Sequence, residues 1–137
     1  MSVSSYSFCF LVNRNGRVLL LRRSSTCRNR AGEWDLPGGS ADDQETAELT
    51  ARRELVEETG RSVEELQSLS SLEFSWQGAE YSFNYFQGHL DDNPILSYEH
   101  DSFNWFALEE IQDKLVFPPH RQAAGKFFDE AVASRPV

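Results

Sequence analysis

The 137-residue chain is 39% hydrophobic, with 22 acidic side chains against 13 Lys and Arg, a formal net charge of −9. That length suits one domain, residues 1–137, and the apolar share is too high for a disordered chain. The acidic balance argues against binding along duplex nucleic acid, yet leaves room for an anionic small molecule held by local positive charge or a metal ion.

Tyr6 to Val12 is apolar and aromatic enough for a strand. Asn13-Arg14-Asn15-Gly16 follows, and Asn-Gly favours a tight hairpin turn because both residues tolerate positive φ. Val18 to Leu21 reads as a strand buried on both faces. Arg22 to Glu33 is a polar loop holding Arg22, Arg23, Arg28 and Arg30, and Glu33 to Pro37 a short strand ended by Pro37-Gly38-Gly39. Residues 45 to 59 lack Gly and Pro and are rich in Ala, Leu, Glu and Arg, which predicts a helix. Asp42 and Asp43 suit its positive end, and Gly60 its stop. Leu69 to Phe74 and Tyr81 to Gly88 are strand-like, with a hairpin loop around Gly78. Phe103 to Phe106 reads as a strand and Leu108 to Leu115 as a helix. Pro118-Pro119 is expected to break the chain before a terminal helix over Arg121 to Val132.

Such a mixture is neither a regular βαβ alternation nor an all-β pattern, and predicts a mixed β-sheet packed between helices. Cys9 and Cys27 read as two reduced thiols, without a CxxC or His/Cys cluster. Phe8 to Val12 is too short to span a bilayer, and the N-terminus lacks the pattern of a signal peptide. The expected location is the cytoplasm, with no membrane partner.

Glu54, Glu57 and Glu58 fall within an arc of about 100° on the predicted helix. A like-charge pair four residues apart costs about 0.2–0.5 kcal/mol in an isolated helix, so a compensating charge is expected. A divalent cation supplies it, and Mg²⁺ favours oxygen ligands. Arg53, four residues before Glu57, also helps. For the three glutamates alone, a solvated acidic face is the simpler account.

The wider spacing decides between them. Gly39, five residues, Glu45, seven residues, Arg53-Glu54-Leu55, one residue, Glu57-Glu58, one residue and Gly60 resembles the Nudix box, taken here as residues 39–61. The lead-in Trp34-Asp35-Leu36-Pro37-Gly38-Gly39, and Glu99-His100 ahead of Trp105-Phe106, extend the likeness. One position departs: Arg61 stands where the family has an aliphatic residue, and Val63 is expected to do its packing.

The resemblance implies an α/β/α sandwich and a Mg²⁺-dependent hydrolase, with Mn²⁺ as a substitute, that cleaves a pyrophosphate bond in a nucleotide derivative. It implies Glu54, Glu57, Glu58 and a backbone carbonyl of Gly39 or Gly38 as metal ligands. Glu45 and Arg53 would brace them. Glu54 and Glu99 are both candidates for the general base. Arg23, on a strand end, and Gly38 are the candidate substrate contacts. His100 reads as a polar loop residue. Tyr81, Phe83 and Tyr85 share one strand face, as core or as a stacking surface for a base, and Trp34 reads as packed under the sheet.

Markers for ADP-ribose, dinicotinamide and coenzyme A substrates are absent, and Tyr81 is a weak dinucleoside polyphosphate marker. What remains is similar to MutT-like enzymes that act on (d)NTPs. The alternatives are a non-catalytic Nudix-fold module that binds nucleotide, which would usually lack box glutamates, and an unrelated acidic interaction domain. Family members often pair as homodimers, but no apolar stripe here demands it.

Overall fold

The computed structural model describes residues 3–134. Its elements are β1 (Ser4–Val12), β2 (Arg17–Arg23), β3 (Trp34–Asp35), β4 (Gly38–Ser40), α1 (Ala47–Thr59), β5 (Gln67–Trp76), β6 (Ala79–His89), β7 (His100–Ala107), a 3₁₀ turn (Leu108–Glu110), α2 (Ile111–Lys114) and α3 (Pro118–Ala133).

Alternation along the central strands explains the layers. On β1, Phe8 and Phe10 face one core while Cys9 and Leu11 face another. On β2, Val18 and Leu20 join the first and Leu19 and Leu21 the second. Successive strand residues point to opposite faces, so a strand apolar throughout must be covered on both sides. The residues α2 and α3 give to the first core are Ile111, Ala123, Ala124 and Phe127. From α1 come Ala51 and Leu55, on the second. Each fully buried Leu or Phe stabilises this arrangement by about 1.5–3 kcal/mol. The result is an α/β/α sandwich around a mixed sheet.

β1 runs parallel to β6, and the other pairings are antiparallel. β1 and β2 touch only beside the hairpin, at Val12 and Val18, and then part. The returning chain fills the gap: β3 pairs with β2 at Leu21 and Arg22, and β4 with β1 from Tyr6 to Phe8. This wedge sets Gly38 and Gly39 beneath α1.

Several boundaries differ from the sequence reading. The helix starts at Ala47, because Thr46 caps it by accepting the Leu49 N–H at 3.2 Å, which leaves Glu45 outside it. Pro118 and Pro119 begin α3 rather than precede it, since a proline costs no hydrogen bond in the first helical turn. Leu108 to Leu115 splits into a 3₁₀ turn and one short helical turn. His100 opens β7 and is buried, not a polar loop residue. Both thiols are free, Cys9 buried and Cys27 half-buried. Among the described residues no helix is long and apolar enough to cross a membrane.

Candidate active site

Gly38 and Gly39 are where backbone meets carboxylate. Gly38 has φ +154°, and a Cβ there would lie 2.1 Å from the Ser7 carbonyl oxygen. At Gly39 a Cβ would lie 2.5 Å from Cδ of Glu54. Only glycines let α1 press its carboxylates onto this turn. The Gly38 N–H donates to Glu58 Oε1 at 2.8 Å.

Arg53 organises the acidic face of α1. Its Nε and Nη2 donate to the two carboxylate oxygens of Glu45 at 2.8 and 2.9 Å. Nη2 also donates to the Ser40 carbonyl at 2.8 Å. Nη1 reaches Glu54 at 2.9 Å and both oxygens of Glu57 at 3.2 Å. One guanidinium thus ties Ser40 at the end of the glycine turn, Glu45 ahead of the Thr46 cap, and Glu54 and Glu57 on α1 together. The hydrogen bonds from Arg53, then from the Asp42 backbone, pull the Glu45 carboxyl down to about 2.

The other carboxylates are less comfortable. Burial pushes the Glu58 carboxyl well above its ordinary value, only partly offset by the Gly38 hydrogen bond, with the charges of Glu54, Asp35 and Glu99 pushing the same way. Burial also raises Glu54, against Arg53 and with Glu57 and Glu99. Among the described residues no group of three or more His, Cys, Asp or Glu side chains is set to hold an ion, and Glu54 and Glu57 are hydrogen-bonded to Arg53. The donor set still fits a hard divalent cation. It is all oxygen, its negative charges are crowded, and a cation would relieve the raised Glu54 and Glu58.

Glu54, Glu57, Glu58 and Glu99 line one cavity of about 400 Å³. The same cavity has an aromatic wall of Tyr6, Tyr81, Phe83, Trp76 and Phe117. Tyr6 meets Tyr81 and Phe83 edge-on at 5.8 and 5.5 Å between centroids, and Phe117 meets Trp76 at 5.8 Å. Arg23 and Arg30 complete the lining, both paired with the buried Asp35, at 3.1 and 3.3 Å. His120 Nε2 lies 2.7 Å from the other oxygen of Asp35, and its Nδ1 is 2.8 Å from the Tyr85 hydroxyl. Burial opposes ionisation of Asp35, but His120, Arg30 and Arg23 together hold its carboxyl below the usual range.

A model of the NUDIX domain matches residues 5–130. The chain belongs to the NUDIX domain family. It is 32% identical over 121 residues to the oxidized purine nucleoside triphosphate hydrolase of Mus musculus, covering 86% of this chain and 76% of that protein. The crystal structure of the MutT protein from Methanosarcina mazei Go1 superposes with a TM-score of 0.83 at 30% identity, covering 94% of each chain. That of the MutT NUDIX hydrolase from Burkholderia pseudomallei gives 0.79 at 27%, covering 92% of this chain and 98% of that one. This is a MutT-like Nudix hydrolase, a pyrophosphohydrolase by class.

Within the Nudix box, Gly39, Glu54, Glu57 and Glu58 lie together at the cavity, with Glu45 and Arg53 behind them. Gly38 lines the cavity with its N–H committed to Glu58. Glu99 joins from the turn before β7, where its carbonyl accepts the Ser24 N–H at 2.9 Å. Of the four arginines expected in a loop, Arg22 and Arg23 instead end β2; Arg23 and Arg30 line the cavity, while Arg22 pairs with Asp101. Arg61 hydrogen-bonds the Asn93 carbonyl at 2.9 Å, and Val63 is buried beside Ala51 and Leu55. The strand face of Tyr81, Phe83 and Tyr85 divides: Tyr85 is wholly buried, the other two line the cavity. Trp34 packs edge-on against Phe106 at 4.9 Å.

Sequence reasoning missed Asp35, Asn29, Trp76, Phe117 and His120. Phe117 and His120 had one signal: both flank Pro118-Pro119, a natural helix start.

Proposed function

We propose that this Nudix hydrolase hydrolyses a nucleoside triphosphate or deoxynucleoside triphosphate to the monophosphate and pyrophosphate, with Mg²⁺ as its metal and Mn²⁺ as a substitute. The observation that carries the reading is that four carboxylates share one cavity of about 400 Å³ with an aromatic wall and two arginines. That volume suits a nucleotide-sized ligand, and the two chemistries match its two ends. The printed activity of the mouse relative, hydrolysis of an oxidised purine nucleoside triphosphate, supports the same substrate class.

Glu54, Glu57, Glu58 and the Gly39 carbonyl would hold the metal. When bound, it supplies neutralisation of phosphate charge and a lower pKa for the attacking water. Arg53, fixed on Glu45, sets the directions of Glu54 and Glu57. Gly38 anchors Glu58 by its N–H and lets the phosphates approach the backbone closely. Arg23 donates to the substrate's anionic end. Water adds to phosphorus, the bond to the leaving phosphate oxygen breaks, and Glu54 or Glu99 takes the water's proton. The protein acts in the cytoplasm on a small-molecule nucleotide.

The test is product formation from normal and oxidised dNTPs, NTPs, ADP-ribose, nucleotide sugars and dinucleoside polyphosphates with Mg²⁺, resolved by chromatography. Monophosphate and pyrophosphate from triphosphates support the proposal. Turnover confined to the other substrates overturns the substrate class, and nucleotide binding without turnover favours a binding module.

A further inference from the structure

Asp35 is a mount for two guanidiniums. Its Oδ1 accepts the Leu36 N–H at 2.8 Å and lies 2.7 Å from Nε2 of His120, a fully buried ring whose Nδ1 meets the Tyr85 hydroxyl at 2.8 Å. Its Oδ2 accepts from Arg23 Nη1 at 3.1 Å and from Arg30 Nη2 at 3.3 Å. A carboxylate has about four lone-pair sites, so these four neighbours leave Asp35 nothing to offer a substrate or a metal.

The arginines keep donors in hand. A guanidinium carries five N–H donors and no acceptor. Arg23 gives one to Asp35 and one to the Asn29 carbonyl at 3.0 Å. Arg30 gives one to Asp35 and one to Glu33 at 3.5 Å. The larger part of each fork is left over, and both side chains line the cavity that holds Glu54, Glu57, Glu58 and Glu99. Two guanidiniums face one buried carboxylate, and Glu33, partly open to solvent, offsets little of the excess positive charge. Arg30 is also held in place. Its guanidinium lies over the Phe117 ring at 4.0 Å, and its side chain is only 15% exposed. Its backbone has φ +53°, which glycine adopts freely and residues with a Cβ rarely adopt. A glycine there would relieve the backbone and give up the guanidinium.

We propose that Arg30 is a second ligand for the substrate's phosphates, and that Asp35, backed by His120, positions Arg23 and Arg30 as one clamp on a single phosphate group. This rests on the nucleotide reading above and deepens it. One nitrogen of each arginine touches the same Asp35 oxygen, so one phosphate spans both forks, and its oxygens accept from guanidinium donors better than any neutral group does. The box carboxylates meet phosphate only through a cation, whereas the arginines meet it directly.

The experiment measures binding of inorganic pyrophosphate, a ligand with no base, by calorimetry with Mg²⁺ present. It compares the wild type with Arg30→Gln, Arg30→Lys, Arg23→Gln, the double Gln variant and Asp35→Asn, with thermal melts to show that each folds. This reads the clamp without turnover, so failure of the hydrolase reading and failure of the clamp are separate results. Arg30→Gln should weaken pyrophosphate binding about 10- to 100-fold, the value of one hydrogen bond to a charged group. With dGTP, dATP and dCTP it should raise KM more than it lowers kcat, by the same factor for each base. Arg30→Lys, which keeps the charge and loses the fork, should lose less; if Arg30→Gln fails to fold, the same comparisons with Arg30→Lys decide. In the double variant the two losses should not multiply, because both act on one phosphate. Asp35→Asn leaves more positive charge but frees both forks, and should bind pyrophosphate more weakly. Tighter binding in that variant would overturn the positioning role. No binding by the wild type, unchanged binding in a folded Arg30 variant, a loss confined to one base, or losses that multiply would each overturn the clamp.

Discussion

Arg53 grips both oxygens of Glu45 with two different nitrogens, at 2.8 and 2.9 Å, while its third nitrogen holds Glu54 and Glu57. The bidentate pair fixes the guanidinium plane, and the plane fixes the two glutamates. Lysine carries the charge without the fork. Arg53→Lys should therefore lower kcat about 10- to 100-fold, as loss of a brace behind a metal site does. Steady-state kinetics with a Mg²⁺ titration checks this, and unchanged kcat and Mg²⁺ dependence would remove Arg53 from the site.

The two glycines before the box should fail in different ways. Gly39→Ala puts a methyl against the end of the Glu54 side chain, which can swing aside. It should fold and lose activity. Gly38→Ala meets the Ser7 carbonyl and the Phe8 Cα at 2.1 and 2.7 Å, and both are backbone. It should destabilise the protein by about 1–3 kcal/mol or more, the range for a residue forced into a glycine-only conformation. Paired melts and activity assays separate the two effects, and the reverse assignment would contradict the geometry.

His120 should make its part of the fold less stable as acid is added from the neutral range. Burial first, against the pull of Asp35, lowers its pKa below the ordinary 6.5. The folded state thus binds fewer protons than the unfolded state in that window, and stability falls as pH drops below about 6.5. Asp35, held ionised in the fold, adds a loss of the same sign at lower pH, below the ordinary carboxylate range. His100 is also lowered by burial, and its two ring nitrogens have no hydrogen-bond partner. Glu54 and Glu58, raised by burial, act in the opposite sense, because the fold holds their protons more tightly; against that gain the two histidines contribute a fall in melting temperature from pH 8 to pH 5. The fall should be shallower in His120→Gln, and shallower again with His100→Gln added. An unchanged slope in the double variant would place the titration elsewhere.

These residues also show where the sequence is readable. α1 was legible because its signals are local: helix-favouring residues, Gly60 as a left-handed cap at φ +66°, and box spacing that puts the glutamates on one face. Val63 followed from the Arg61 departure, since a buried slot must be filled by something nearby in the chain. β4 was invisible, because Gly38-Gly39-Ser40 has no strand preference of its own and is a strand only by pairing with β1. The aromatic half of the site was also hidden. Trp76 sits at a hairpin end and Phe117 before α3, and only the packing of α3 against β5 and β6 brings them together. Asp35 looked like part of a glycine lead-in, and nothing near it in sequence announced His120.

The box carboxylates are proposed to hold a divalent cation that drives nucleotide hydrolysis. The most direct measurement is the rate of pyrophosphate release from a dNTP as Mg²⁺ is titrated, in the wild type and in Glu57→Gln. Glu57 is exposed, with 55% of its side chain open to solvent, so the variant should keep its fold and melting profile. The wild type should show no turnover without the metal and saturate as Mg²⁺ is added. Glu57→Gln should lose turnover by about 100-fold or more, or need far more Mg²⁺. Turnover independent of Mg²⁺, or a Glu57→Gln variant that matches the wild type at every Mg²⁺ concentration, would contradict it.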